Sequence, residues 1–416
     1  MSSTLETPNM VPWRQDAQVM GLVGLVHASS HFSHLLLPLM FPAFMQDFGL
    51  GYAQLGLLMS VFFVVSGVGQ ALSGFFVDHF GARPVLYVSL AMLALACASV
   101  TQAQGYGGLM CSAVLFGLGN CTFHPVDFTI LNHRVSEPRL GHAFSAHGLT
   151  GNLGWAVAPT FMVGISTLSH WRTAYACAAL VFVSLLLLCM FQRAHLHTEP
   201  HRPGAPGAPD APGAQSLNHR GNNLAFLRLP VVWWCFGFFV FSTMTLAVVQ
   251  SFSVSIMQSL VGVSFSAATN TLTAYLVCAA LGMLVGGFMA ATFAKHTQIV
   301  VAGSMLCAAL LLVICATTWL GPMGSMLAMA ITGFAAGVGG PSRDLMIKNA
   351  TPKGATGRVY GMVYSGMDVG FAIAPAMFGV LMDHGWYAAT LVGVSLTLVV
   401  SAALAVVVGR QEESSV

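Results

Sequence analysis

Asn152-Leu153-Gly154-Trp155-Ala156-Val157-Ala158-Pro159 is matched, 216 residues further on, by Asp368-Val369-Gly370-Phe371-Ala372-Ile373-Ala374-Pro375. The glycine, both alanines and the proline are identical, the aromatic is kept in kind, and an amide stands where its mate is a carboxylic acid. The same offset joins Gly117 to Gly333, Pro125 to Pro341, Gly141 to Gly357 and Phe144 to Tyr360. An ungapped internal repeat in a very apolar chain predicts two structurally similar halves. In a membrane, halves related in this way rock around a site between them.

The composition supplies the membrane. The chain is 56% hydrophobic and 7% charged, with a mean hydropathy of +0.77; soluble domains carry about 25% charged residues. Too little polar surface exists to face water on all sides, so the solvent is lipid. Apolar runs of the roughly 20 residues that cross a bilayer as a helix recur along the chain. Weak period-2 alternation argues against a β-barrel. Twelve spans are predicted, over 18–46, 53–77, 84–104, 107–132, 140–167, 171–192, 226–258, 265–293, 298–318, 322–349, 356–382 and 386–409. The expected fold is therefore an all-α membrane protein of two pseudo-symmetric six-helix bundles. Glycine and proline within the spans do not veto this, since both are common in transmembrane helices.

Between the sixth and seventh spans lies Arg193 to Asn223, with Pro200, Pro203, Pro206, Pro209 and Pro212 interleaved with glycine and alanine. That composition reads as an unfolded linker, giving bundles at 1–192 and 225–416 joined by 193–224. Arg14, Arg83, Arg134, Arg139, Arg193, Arg202, Arg220, Arg228, Lys295, Lys348, Lys353, Arg358 and Arg410 fall on the side of the termini and linker, and Arg172 on the other. The excess of positive charge places both termini in the cytoplasm of a bacterial-type inner membrane. The N-terminus is polar through Asp16, and no signal-peptide cleavage pattern follows. The nine cysteines sit in apolar runs with no CxxC pair and read as small buried hydrophobes.

Gly74-Phe75-Phe76-Val77-Asp78-His79-Phe80-Gly81-Ala82-Arg83 follows the second span. It resembles the loop signature of the major facilitator superfamily: glycine, an aspartate four residues on, then glycine and a basic residue. The second half keeps Gly287 but has Ala291 where the acid would be. Ser30-His31, Phe123-His124-Pro125, Gly141-His142-Ala143 and Gly151-Asn152-Leu153-Gly154 are similar to the fosmidomycin-resistance type of efflux transporter. That family often has Glu after the His-Pro; here Val126 stands there and Asp127 follows. The resemblance implies alternating access, with Gly74, Asp78, Gly81 and Arg83 as a conformational latch.

A carboxylate at Asp78 could cap the positive N-terminus of a neighbouring helix, and Arg83 could pair with an acid elsewhere. Asp127, Asp344 and Asp368 lie inside spans, where a charge costs on the order of 2.5–3.5 kcal/mol, so each is expected to face the bundle interior, pair with another group or titrate. Asp368 leads as the proton-coupling or substrate-binding group. Arg343 and Asp344 are adjacent and need not pair. Asp127 is the repeat mate of Arg343, so the two could meet across the interface as a gate, with Arg83 the alternative partner for Asp127. His27, His31 and His34 lie along one face of the first span, and His124 and His147 in the fourth and fifth. Such a row suits a proton relay or substrate binding, packing, or a metal. No carboxylate or thiolate stands at metal-ligand spacing beside them, so no metal is assigned. The linker histidines His195, His197, His201 and His219 read as solvated.

Gly148, Gly151, Gly154, Gly366 and Gly370 read as small-residue faces for close helix approach, with Pro159 and Pro375 as bends. Trp233, Trp234 and Phe236 to Phe241 read as a lipid-facing aromatic wall. The leading expectation is a proton-coupled secondary transporter exporting a small organic molecule. Its candidate substrate and proton groups are His31, His34, Asn120, His124, His147, Asn152, Gln250 and Asp368. The alternatives are an organic-acid uptake carrier and a metal or metal-chelate carrier. Expected partners are the substrate, protons and the lipid bilayer, with the chain acting as a monomer. No cofactor and no nucleic acid are indicated. No ATP-binding signature, nucleophile elbow or HExxH motif suggests an enzyme.

Overall fold

A computed structural model of the chain describes residues 12–198, 228–293, 296–350 and 356–414. Among these residues the structure is helical: α1 (Trp13–Leu39), α2 (Phe41–Phe48), α3 (Tyr52–Phe80), α4 (Ala82–Gln102), α5 (Tyr106–Asn120), α6 (Phe123–Arg134), α7 (Leu140–Leu168), α8 (Trp171–Phe191), α9 (Pro230–Val261), α10 (Phe265–Thr292), α11 (Thr297–Thr317), α12 (Gly321–Ala350), α13 (Thr356–Asp383) and α14 (Tyr387–Ser414). The first and fourth spans are each interrupted. Met40 separates α1 from α2 between Pro38 and Pro42, and Cys121–Thr122 separate α5 from α6 just before Pro125. Counting each interrupted pair once, the helices make the twelve expected spans. α7 and α13 run continuously through Pro159 and Pro375.

The repeat is physical. Gly154 on α7 has no room for a side chain because a β-carbon would strike the carbonyl of Ala28 on α1; its mate Gly370 on α13 is closed off in the same way by Val240 on α9. Gly117 on α5 abuts the carbonyl of Phe62 on α3, and its mate Gly333 on α12 abuts that of Tyr275 on α10. These backbone approaches are what small residues permit where no water drives helices together. Gly148, by contrast, faces open space.

Anchors fix each bundle internally. Buried Asp16 accepts from Arg139 Nη1 at 2.7 Å and from the Ser136 hydroxyl. Tyr175 donates to the Leu36 carbonyl at 2.6 Å. In the second half, Thr245 and Thr397 share a hydrogen bond of 2.8 Å between α9 and α14.

Several expectations change. The signature after the second span is not a loop: Gly74 to Phe80 lie within α3, Gly81 is a single-residue corner at φ 82°, and Ala82 opens α4. The positive φ explains the glycine. The α4 N-terminus is capped by Thr198, whose hydroxyl accepts from Ala82 N at 2.9 Å. The chain therefore does not enter a solvated linker at 193, since Leu196 and Thr198 are buried. The linker prolines, His201, His219, Arg202, Arg220, Lys295 and Lys353 lie outside the described residues, as do the side chains of Lys348 and Arg358. Of the cysteines, Cys111 and Cys307 are exposed and Cys177 and Cys278 half-buried, not all buried as expected. In the aromatic wall Trp233 and Trp234 are exposed, but Phe238 and Phe239 are buried.

Candidate functional site

Two regions concentrate polar chemistry between apolar walls. The first lies inside the N-terminal half, where α1, α3, α5, α6 and α7 meet. Asp127 on α6 is fully buried, and its Oδ2 accepts from His27 Nδ1 at 3.0 Å and His147 Nε2 at 3.1 Å. The two imidazoles stack with centres 3.5 Å apart. Asp127 Oδ1 has no partner, and neither does the buried Nδ1 of His31. A buried carboxylate in a low-dielectric setting needs such partners, because an unpaired charge there costs several kcal/mol.

His34 is held from both ring nitrogens. Trp155 Nε1, a donor only, gives its hydrogen to His34 Nδ1 at 3.3 Å, which leaves His34 Nε2 to donate to Asn120 Oδ1 at 3.2 Å. Asn120 also accepts from Ser30 at 2.6 Å and donates to Ser66 at 2.9 Å. His124 Nδ1 donates to Gln70 Oε1 at 3.1 Å. Ring contacts, not hydrogen bonds, bring these groups together: the His31 ring centre lies 4.6 Å from that of His27 and 5.2 Å from that of His34, and His124 lies 5.2 Å from His27.

The second region is the seam between the halves. Asp368 on α13 lies against Gly67 of α3, is half-buried, and has no hydrogen-bond or ion-pair partner among the described residues. Asn152 on α7 donates to Met283 Sδ on α10 at 3.2 Å. Phe371 stacks on Phe63 with centres 4.4 Å apart and lies 6.3 Å from His34; its repeat mate Trp155 lies 6.0 Å from the same ring. The two halves therefore flank His34 with matched aromatics. Gln250 on α9 is buried with an unpartnered Nε2 and joins neither group. A surface concavity of about 430 Å³ beside Gln102 and Cys111 is remote from both.

The expected gate does not form as drawn. Asp127 meets neither Arg343 nor Arg83, because two histidines from neighbouring helices already occupy it. Arg343 instead pairs with its neighbour Asp344 at 2.9 Å, lies over the Phe239 ring at 5.1 Å, and Asp344 accepts from Tyr364 at 3.1 Å. Asp78 is exposed, and neither it nor Arg83 has an ion-pair partner among the described residues. A link the sequence did not suggest closes the opposite end of the molecule. Asp383, the last residue of α13, accepts from Tyr52 N at 2.5 Å and Ala53 N at 2.9 Å, capping the N-terminus of α3 across the seam. Close backbone contacts of Gly56 with Pro375 and Gly379 with Tyr52 lie beside it. A lone acid at a span's end was the available signal for Asp383, and an amide deep within an apolar span the signal for Gln70.

A family model described as Major Facilitator Superfamily matches residues 23–267 and 241–415. The chain belongs to the major facilitator superfamily. An MFS-type transporter of Bacillus subtilis (strain 168), YfnC, is 23% identical over 298 residues, covering 70% of this chain and 69% of that protein. A probable nitrate transporter of Staphylococcus aureus (strain JH9), NarT, is 27% identical over 157 residues, 38% of this chain and 39% of its own length. Among solved structures, a bacterial homologue of the human lysosomal transporter Spinster, inward-facing and unoccupied, superposes with a TM-score of 0.75 at 14% identity, covering 97% of this chain and 99% of that one. The occupied form of that homologue gives 0.69 at 13% identity, covering 97% of each chain. The chain is thus a multi-pass membrane protein of a transporter superfamily, which points to a transporter and not an enzyme.

Proposed function

We propose that this superfamily member is a proton-coupled secondary transporter that exports a small organic molecule by alternating access. The two bundles tilt about the seam while the chain between them, packed against α4 as far as Thr198, tethers them. The observation that carries the reading is Asp368: an ionisable group in the middle of a span, at the seam, half-buried and unpartnered. Intramembrane acids of that kind mark substrate and proton pathways. Protonation in one access state and release in the other would couple its charge to the tilt. Asn152, His34 and the flanking aromatics Trp155 and Phe371 would line the path.

The excess of basic residues at one end supports cytoplasmic termini in a bacterial inner membrane. The Asp383 cap supports a conformation closed at the end away from the termini, while the unpartnered Asp78 supports an unlatched opposite end. The chain is proposed to act as a monomer. The likeness to NarT raises an anion as alternative cargo. The span arginine available for that role, Arg343, is held by Asp344, so an anion would have to compete for it.

The test is proteoliposome flux. A panel including fosmidomycin, small organic acids and nitrate is screened for currents driven by a pH gradient. Asp368→Asn should abolish the gradient-driven current of any responding compound while the protein remains monodisperse. An unchanged pH-dependent current in Asp368→Asn removes that residue from coupling.

A further inference from the structure

His27, His31 and His124 each offer a ring nitrogen within 4.8 Å of the others. His27 and His31 are one helical turn apart on α1, and the break at Cys121–Thr122 puts His124 in the first turn of α6. Their ring centres are 4.6, 5.2 and 6.5 Å apart. Three imidazoles bound to one ion at roughly 2.0–2.1 Å have ring centres about 5 Å apart. His27 stands at that spacing from both other rings, and His31 and His124 would close on each other by about 1.5 Å to share the ion.

The hydrogen bonds around the three rings make the same point. A metal-binding histidine typically donates its other N–H to a carboxylate or carbonyl oxygen, which fixes the tautomer and aims the free lone pair at the ion. His27 Nδ1 is engaged by the Asp127 carboxylate and His124 Nδ1 by the Gln70 carbonyl. No hydrogen bond among the described residues takes the Nε2 of either ring. His31 Nδ1 is buried without a partner, an orphaned state that calls for an explanation. His147 steadies Asp127 from the other side. His31 and His124 are half-buried, not sealed.

We infer that His27, His31 and His124 form a binding site for a divalent late first-row transition-metal ion such as Zn²⁺ or Co²⁺. Asp127 and Gln70 orient the ligands from behind, and water completes the coordination. Three neutral imidazoles suit these ions and not the oxygen-seeking Mg²⁺ or Ca²⁺. The inference goes beyond the transport reading and holds whichever molecule is carried.

The full chain, purified with a histidine-free affinity tag and stripped with chelator, is titrated with Co²⁺ and Zn²⁺. Binding is followed by calorimetry and by the visible absorption of bound Co²⁺. One ion per chain is expected, lost in His31→Ala and in His124→Ala and retained when His195 and His197 are both replaced by alanine. Gln70→Ala touches no ligand atom and should weaken binding about 10- to 100-fold with an unchanged gel-filtration profile, which covers the case in which a histidine variant fails to fold. No uptake by the stripped protein overturns the inference. So does uptake that survives His124→Ala, or that is lost with His195 and His197 instead. Nothing is transported in this titration, so its failure is separate from failure of the transport reading.

Discussion

Around Gly154 and around its mate Gly370 the backbone does the same thing: each glycine seats its helix on a neighbouring carbonyl, of Ala28 in one half and Val240 in the other. The side chains nearby do not match. At the same offset of 216, His27, His31 and His34 correspond to Thr243, Ala247 and Gln250, His124 to Gly340, His147 to Val363, and Asp127 to Arg343. The described histidines of the second half, His296 and His384, stand at helix ends. The shared scaffold is a matter of close packing, and close packing tolerates little change. Among the described residues the histidine–aspartate cluster belongs to the first half, while the second contributes to the seam an acid without a hydrogen-bond or ion-pair partner, Asp368.

The comparison can be broken or sharpened by substitution. The largest effect is expected from Asp127→Ala, which strips His27 and His147 of their shared acceptor. Removing one member of a buried charged cluster costs about 3–5 kcal/mol. The corresponding change in the second half, Arg343→Ala, should cost about 0–1 kcal/mol, because that pair is partly solvated, with side-chain exposures of 26% and 48%. Denaturation midpoints in detergent compare the two; equal losses would mean that the halves are electrostatically alike after all. Next come the glycines. Gly154→Val and Gly370→Val should each destabilise by about 1–3 kcal/mol or more through overpacking, whereas Gly148→Val, in open space, should be near neutral. Folded yield by gel filtration reads all three, and a tolerated Gly370→Val would break the structural equivalence. The smallest effect is at the latch. A carboxylate at a helix N-terminus is worth about 0.3–1 kcal/mol and up to ~2 when partly buried, so Asp383→Asn should shift the access equilibrium roughly 2- to 30-fold. Labelling of a cysteine placed at Ala53 should quicken correspondingly.

The fold was largely legible because lipid imposes simple rules. Apolar runs of spanning length become helices, and the predicted spans agree with the helices to within a few residues. The repeat alone marks the glycines at which helices meet closely. Helix interruptions were not legible: Pro38, Pro42 and Pro125 are compatible with continuous helices, and tertiary packing decides. The site was legible in part. The spacing of His27, His31 and His34 placed them on one face, but nothing in the sequence says which helix faces them, so Asp127 was assigned an arginine partner and not two histidines. Gln70 and Asp383 were missed because each acts on a residue distant in sequence. Arg343 and Asp344 pair as neighbours because flexible side chains at the end of a span can turn towards each other.

The central claim, that the halves tilt about the seam, is tested most directly by distances across it at both ends. Spin labels are placed on α7 and α10 at Phe144 and Phe288 near the termini, and at Leu168 and Ser266 at the far end, all exposed positions. Pulsed electron paramagnetic resonance of the parent and of Asp383→Asn should show reciprocal populations, with the far-end distance lengthening as the terminal-end distance shortens. Two distances that stay fixed, or that lengthen together, would contradict a rocking pair of bundles.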